Sequence, residues 1–318
     1  MSGKRLFSLA ATCLLLLSSI SALGQERLNF GSALKTAAHM ALPFLAAQEQ
    51  GLWKQQGLEV EWVGFGGGTE LYRAVAAGSV PLGFTMATDI IQTAARGIPI
   101  KIIADAGVRN DFYVWVPKGS RLKEPKELAG AKIGVPARGS VAHAYGQALD
   151  KELGLGGKMM IVGAGGIGSA IAGMKSGALD GVLLTHFAMA PLVYKGEIRG
   201  LISVREYLPK KWIDNAVLGR TDFMQKEPEK VKKAIKAFLL AGSFIVANRN
   251  WAVEKMKSFS GFSDEAAKGM YPFLAYNKDG RTDMEGLRNI VNFLVEYEII
   301  PKDKALAPEQ FFTNEFLS

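Results

Sequence analysis

The sequence predicts an α/β protein of two lobes, each a mainly parallel sheet flanked by helices. Three observations predict it. Strand-like and helix-like runs alternate along most of the chain, the pattern of a parallel sheet covered by helices on both faces. The pattern occurs twice: shifted by 99 residues, VGFGGGTELYRAVAAGSV (63–80) lies over VGAGGIGSAIAGMKSGAL (162–179). Val63, Gly64, Gly66, Gly67 and Gly78 then fall on Val162, Gly163, Gly165, Gly166 and Gly177. Finally, 318 residues, 48% apolar and 21% charged, form an ordinary globular balance, long enough for one large or two medium domains.

The N-terminus stands apart from this pattern. Lys4 and Arg5 precede an apolar stretch from Leu6 to Ile20 and then Ala22-Leu23-Gly24. That layout predicts a secretory signal peptide over residues 1–24, cut after Gly24. The run is short of the roughly 20 apolar residues a membrane span needs. Cys13 is followed by four leucines, which is not the position of a lipoprotein cysteine. Cleavage would remove the only cysteine, two of the 38 basic residues and none of the 30 acidic ones, leaving a formal charge of +6. The mature chain is therefore expected to lack disulfides, thiol chemistry and cysteine-bound metal. Its charge would favour anionic ligands or an acidic surface. Export and the lack of a base-stacking motif argue against nucleic acid.

Each repeat unit begins with a strand, LNFG (28–31) or AKIGV (131–135). A polar loop, an Ala-His pair (Ala38-His39; Ala142-His143), a helical stretch and Gly-Leu (Gly51-Leu52; Gly154-Leu155) follow. Next come a strand, the glycine turn, a helix stopped by Gly78 or Gly177, and a strand, PLGFT (81–85) or GVLLT (181–185). FYVWVP (112–117) and AVLGRT (216–221) read as the crossings between lobes. The expected divisions are residues 25–114 for the first lobe, 115–216 for the second, and 217–318 for a mostly helical return to the first. In that return, Pro228 suits a first helical turn. Val231, Ile235, Phe238, Leu239, Gly242, Ile245 and Val246 share one apolar face. Thr282 and Glu285 form a capping-box pattern ahead of the stripe Leu287, Ile290, Val291 and Leu294. Because ligands of open α/β sheets bind outside the carboxyl ends of the strands, two facing lobes would gather both sets of loops in one cleft.

Gly163, Gly165 and Gly168 match G-x-G-x-x-G, with Asp180 downstream where a ribose contact would sit. A dinucleotide turn opens its domain, however, whereas this one lies half-way along the chain. It also has a twin, GFGGGT, that lacks the third glycine. A P-loop is ruled out because Ser169 stands where lysine is required. The turns read instead as chain geometry that leaves helix N-terminal amides free for an anionic group. Catalysis has little support: no G-x-S-x-G or H-E-x-x-H occurs, and no spacing joins Ser140, Asp89 and His186. His39, His143 and His186 all fall in or beside loops after strands and read as polar loop residues or ligand partners rather than a metal site. In PARGSVAH (136–143), Gly139 and Ser140 read as the turn and N-cap of a helix whose N-terminus would suit an anion, with Arg138 adding charge. TMATD (85–89) is the corresponding loop of the first lobe; there Thr85 and Thr88 supply hydroxyls and Asp89 reads as a helix cap. Lys35 and Lys195 read as surface residues.

LPFLAAQEQGLWKQQGLEVEW (42–62), GGGTELYRAVAAGSVPLGF (66–84), AARGIPIKIIA (94–104), ELAGAKIGVPARGS (127–140) and FMQKEPEKVKKAIKAFLLA (223–241) carry a resemblance over nearly the whole mature chain. In this order they resemble nitrate/sulfonate/taurine-type periplasmic solute-binding proteins of ABC transporters. The resemblance implies a type II periplasmic binding fold, a monomer that closes on one small solute and docks on a membrane permease. It implies ligand contacts at Ser32, Ala33 and Leu34; Gly67, Gly68 and Thr69; Thr85, Met86, Ala87 and Thr88; Arg138, Gly139, Ser140 and Val141; and Thr185, His186 and Phe187. No cofactor and no metal are implied. Aliphatic-sulfonate members often carry tryptophan-aspartate-proline in the last loop. This sequence has Thr185-His186-Phe187-Ala188, which argues against a simple alkanesulfonate and leaves the solute open. The expected function is capture of a small anionic organic solute for an ABC importer. The alternatives are an enzyme on the same two-lobe fold, in cofactor-precursor biosynthesis, and a module presenting its ligand to a sensor.

Overall fold

The computed structural model describes residues 25–317, so the signal-peptide reading of residues 1–24 lies outside it. The first unit runs β1 (Glu26–Ser32), α1 (Ala38–Glu49), α2 (Leu52–Gln55), β2 (Leu58–Gly64), α3 (Gly68–Ala76), β3 (Leu82–Met86), α4 (Ala87–Ala95) and β4 (Ile100–Asp105). The chain then crosses to β5 (Phe112–Pro117). The second unit follows as β6 (Lys132–Val135), α5 (Val141–Glu152), β7 (Met160–Gly163), α6 (Ile167–Lys175), β8 (Gly181–Thr185), α7 (His186–Tyr194) and β9 (Ile198–Ser203). It crosses back to β10 (Asn215–Arg220) and ends in helices α8 (Thr221–Lys226), α9 (Pro228–Ala247), α10 (Arg249–Ser260), α11 (Asp264–Met270), α12 (Met284–Glu296) and α13 (Pro308–Phe311).

The repeat is exact in its central elements. β3, α3 and α4 lie 99 residues before β8, α6 and α7, and α1 lies 103 before α5. The sheets have matching orders, β2-β1-β3-β10-β4 and β7-β6-β8-β5-β9. In each, the strand that has just crossed from the other lobe inserts antiparallel to both its neighbours. The remaining pairings, β1 with β2 and β3, and β6 with β7 and β8, are parallel. One antiparallel strand per sheet makes the sheets mixed but mainly parallel. Strands covered on both faces read as apolar runs rather than alternation, and β3 and β8 are buried over their first four residues.

The expected lobe limits at 114/115 and 216/217 fall inside strands. Phe112 already pairs with Thr185 in the second sheet, and Ala216 with Thr85 in the first. The segments joining the sheets are therefore 106–111 and 204–214. They are tied by charge. Asp111, whose carboxylate is fully buried, accepts from Arg205 Nε at 2.9 Å and from Arg109; Arg205 also binds Asp214. Main-chain bonds extend the tie: His186 N–H donates to Asp111 and Ala87 N–H to Asp214, both at 2.9 Å.

The return of the C-terminal part to the first lobe is built on aromatic packing. Phe238 of α9 meets Phe84 at 5.0 Å and Phe30 at 5.6 Å between ring centroids. On its face Val231, Ile235, Phe238, Gly242 and Ile245 are buried as expected, whereas Val246 is exposed. The cap of α12 also differs from expectation. Asp283, not Thr282, accepts the amides of Glu285 and Gly286, because a charged carboxylate is the stronger acceptor at a helix N-terminus. Among the described residues no helix is long and apolar enough to cross a membrane.

The matched glycines have separate duties. A Cβ on Gly64 would stand 2.5 Å from Lys35 Cβ, and one on Gly163 would stand 3.1 Å from the Arg138 amide nitrogen. Lys35 and Arg138 follow the equivalent strands β1 and β6, so this glycine lets the loop after the first strand pass close over the end of the second. Gly165 and Gly166 have φ of 81° and 146°, which only glycine adopts readily, whereas Gly67, the counterpart of Gly166, is extended at −179°. Gly64→Ala is expected to cost about 1–3 kcal/mol through overpacking, and Gly67→Ala no more than about 0.5 kcal/mol. Urea melts of the two variants check this. Arg205→Met leaves the buried Asp111 short of its main counter-charge and is expected to cost about 3 kcal/mol in the same assay.

Candidate functional site

The loops beyond β1, β3, β6 and β8 enclose a cavity of about 390 Å³ between the two sheets. This is within the size range of small-ligand sites. Five helices present their first residues to it: Gly68 and Thr69 of α3, Met86 ahead of α4, Ser140 and Val141 at α5, Ile167 of α6, and Thr185 ahead of α7. The dipoles of these N-termini, with the first-turn amides that no protein group takes up, make the site favourable to an acidic group. Ser140 is the expected N-cap, its hydroxyl accepting from His143 N at 3.3 Å, and Gly139 supplies the φ of 74° that the turn requires. Leu34, also in the wall, has φ of 56°, a left-handed conformation that costs a non-glycine residue about 1–2 kcal/mol.

Of the residues expected at the site, the cavity wall contains Ala33, Leu34, Gly68, Thr69, Thr85, Met86, Arg138, Gly139, Ser140, Val141 and Thr185. The other six lie behind or beside it. Ser32 is buried and its hydroxyl accepts from Trp62 Nε1 at 2.9 Å. Gly67 is the extended cap residue, and Ala87 and Thr88 are buried beneath the loop. His186 packs among Phe273, Trp115 and Tyr113, with centroids at 4.7, 5.4 and 5.7 Å. Burial there holds its imidazole below the usual range, Asp111 opposing. Phe187 stacks at 4.2 Å on His39, whose ring is buried and pushed down to about 3 by desolvation. The reason is helical: α7 starts at His186, and each residue after its cap Thr185 turns about 100° further round the axis. Among the described residues no group of three or more His, Cys, Asp or Glu side chains could hold a metal ion.

The wall also contains residues the sequence did not single out as ligand contacts, among them Met40, Tyr72, Asp89, Gln92, Thr93, Arg96, Asn110, Phe112, Ile167 and Leu184. Asp89 is the most consequential. It is not the cap of α4, which is Met86, but sits in the first turn without a capping bond. Desolvation pushes its carboxyl up to about 6, Arg96 pulling the other way. Desolvation and Asp89 together push the neighbouring Tyr72 phenol well up. Asp89 faces the start of α3, the helix that carries Tyr72: a Cβ on Gly68 would lie 3.5 Å from Asp89 Oδ2 and 3.3 Å from the Tyr72 ring. Asn110, only 3% exposed, has an amide oxygen with no partner. Across the cleft, Gln92 donates from Nε2 to the Gly139 carbonyl at 3.3 Å, the two lobes meeting directly at the cavity edge. An i, i+3 spacing from Asp89 was the one available signal for Gln92.

Comparison with known proteins places this geometry. Residues 39–252 match the protein family described as NMT1/THI5 like. The taurine-binding periplasmic protein of Escherichia coli is 26% identical over 256 residues, 77% of each chain. Among solved structures, the periplasmic aliphatic sulphonate binding protein SsuA of Escherichia coli superposes with a TM-score of 0.74 at 16% identity, over 90% of this chain and 91% of that one. The desulfurization enzyme DszB shares the fold with a TM-score of 0.66 at 15% identity, over 92% of this chain and 97% of that one.

The raised Asp89 carboxyl sets a pH signature. Folding favours its protonated form, so the ionised form costs stability above about pH 6, and the cost fades as pH falls towards the unfolded value of 3.8. Asp89→Asn is expected to stabilise the ligand-free protein by about 1–3 kcal/mol at pH 8. The gain should vanish near pH 4, as read by thermal melts of both proteins across that range.

Proposed function

The chain belongs to the NMT1/THI5-like family, and from that premise we propose that it is an exported solute-binding protein serving an ABC importer. It takes up a small organic solute bearing an acidic group in the cleft, closes its lobes over it and delivers it to a membrane permease. The observation that carries this reading is the convergence of five helix N-termini from both lobes on one inter-lobe cavity. The similarity to a taurine-binding periplasmic protein supports the same reading. The signal-peptide pattern of residues 1–24 supports a periplasmic location. The ligand-contact set is the eleven expected residues in the wall together with Tyr72, Asp89, Asn110 and Phe112. Lobe movement would be taken up in the segments 106–111 and 204–214, with the protein working as a monomer.

A second reading is an enzyme, favoured by the shared fold of the desulfurization enzyme DszB and by a carboxyl pushed up to about 6 inside the cavity. The two differ in outcome. As a binding protein it should be stabilised by about 2.7 kcal/mol at a ligand concentration 100 times Kd. It should also contract in X-ray scattering on binding and return the solute unchanged. Chemical conversion of the stabilising solute would favour the enzyme, and stabilisation without contraction would remove lobe closure.

A further inference from the structure

The two walls of the cavity differ in charge. On the second-lobe side stand donors: Arg138, the Gly139 turn, and the N-terminal amides of α5 and α6. On the other side, beside the N-termini of α3 and α4, stand two side-chain acceptors. Asp89 faces the cavity from α4, its charge offset by Arg96, an exposed residue of the same wall. Asn110, in the crossing segment and in the same cavity wall, has a buried amide oxygen without a partner. A solute that is only an anion would leave both acceptors unmet and set its charge in the same cavity as a carboxylate. Buried acceptors left without donors are costly, and buried charges are tolerated when paired. Between the two walls the surface is apolar, from Leu34, Met40, Phe112, Ile167 and Leu184.

We propose that the solute is a zwitterion with an apolar body, its ammonium group seated against Asp89 and the Asn110 amide oxygen and its acidic group on the N-terminus of α5 at Gly139–Val141. This rests on the binding function proposed above and sharpens it. Closure of the lobes then joins two half-sites of opposite sign, each completed by one end of the same molecule. Asp89 decides specificity: it excludes solutes that offer only an acid. The bond that a protonated amine makes with a carboxylate is among the stronger hydrogen bonds available to a ligand.

The test uses matched pairs that differ only by the amine: taurine against ethanesulfonate, β-alanine against propionate, and para-(aminomethyl)benzoate against para-toluate. Affinities are measured by calorimetry on the mature wild-type chain and on Asp89→Asn, after a thermal-shift screen that includes amine-free acids of several sizes. The expected result is that the amine-bearing member of the best-binding pair is favoured by roughly 10- to 100-fold. In Asp89→Asn that preference should collapse while the amine-free member binds no worse. Equal or tighter binding of the amine-free members, or stabilisation by amine-free acids alone, overturns the assignment of Asp89 and leaves the binding function intact. Stabilisation by no solute overturns the binding function itself, and this assignment with it. The wild-type comparison decides by itself should the variant fail to fold.

Discussion

The Arg205 guanidinium is the contact on which the rest of the molecule turns. It lies between the fully buried Asp111 and the largely buried Asp214, one on each crossing segment. Desolvation pushes the Asp214 carboxyl up to about 6 even with Arg205 drawing it down. A buried carboxylate without its partner is far costlier than the pair, so the two segments stay tied to each other even where the backbone beside the pair turns. That tie positions the lobes, because each segment leads directly into the antiparallel strand of the next sheet. The cavity is nothing more than the space between the loops of the two sheets, so its shape depends on this one charged junction.

Duplication explains most of the architecture around that junction. Two copies of one strand–helix unit, each short of a strand, exchange their crossing strands and thereby complete each other's sheets. The glycine that invites a nucleotide reading, Gly163, has a plainer cause. Like Gly64, it lets the loop after the first strand pass over the end of the second without a side chain in the way. Exposed amides at helix N-termini follow from the same turns, which is why a nucleotide-like pattern and an anion-favouring cavity arise together without any nucleotide.

The cavity wall also carries its share of discomfort. Leu34 holds a left-handed backbone conformation, Asp89 stays desolvated, and the Tyr72 hydroxyl and Asn110 amide oxygen lack partners. Elsewhere the core is closely packed, with Phe30, Phe44, Phe84 and Phe238 in mutual edge and stacked contacts. Unmet polar groups in the wall suit a binding site, since a group already satisfied within the protein has little to offer a ligand.

The order of elements, the twofold unit, the role of Ser140 as a cap and the loops that build the cleft were all legible in the residues, because local periodicity and turn chemistry determine them. Eleven of the seventeen positions expected at the site line the cavity, since a loop after a parallel strand must end near the cleft. Which residues of each loop turn inward was decided only by tertiary structure. His186 and Phe187 point away because helix α7 starts one residue after the strand and rotates them out of the cleft, where aromatic neighbours from distant segments receive them. Asp89 and Asn110 join the site because α4 and the crossing segment both reach the cavity, although β4 separates them in sequence. No single-chain pattern reports a desolvated carboxylate; desolvation is a property of everything packed around it, and only the assembled lobes supply that.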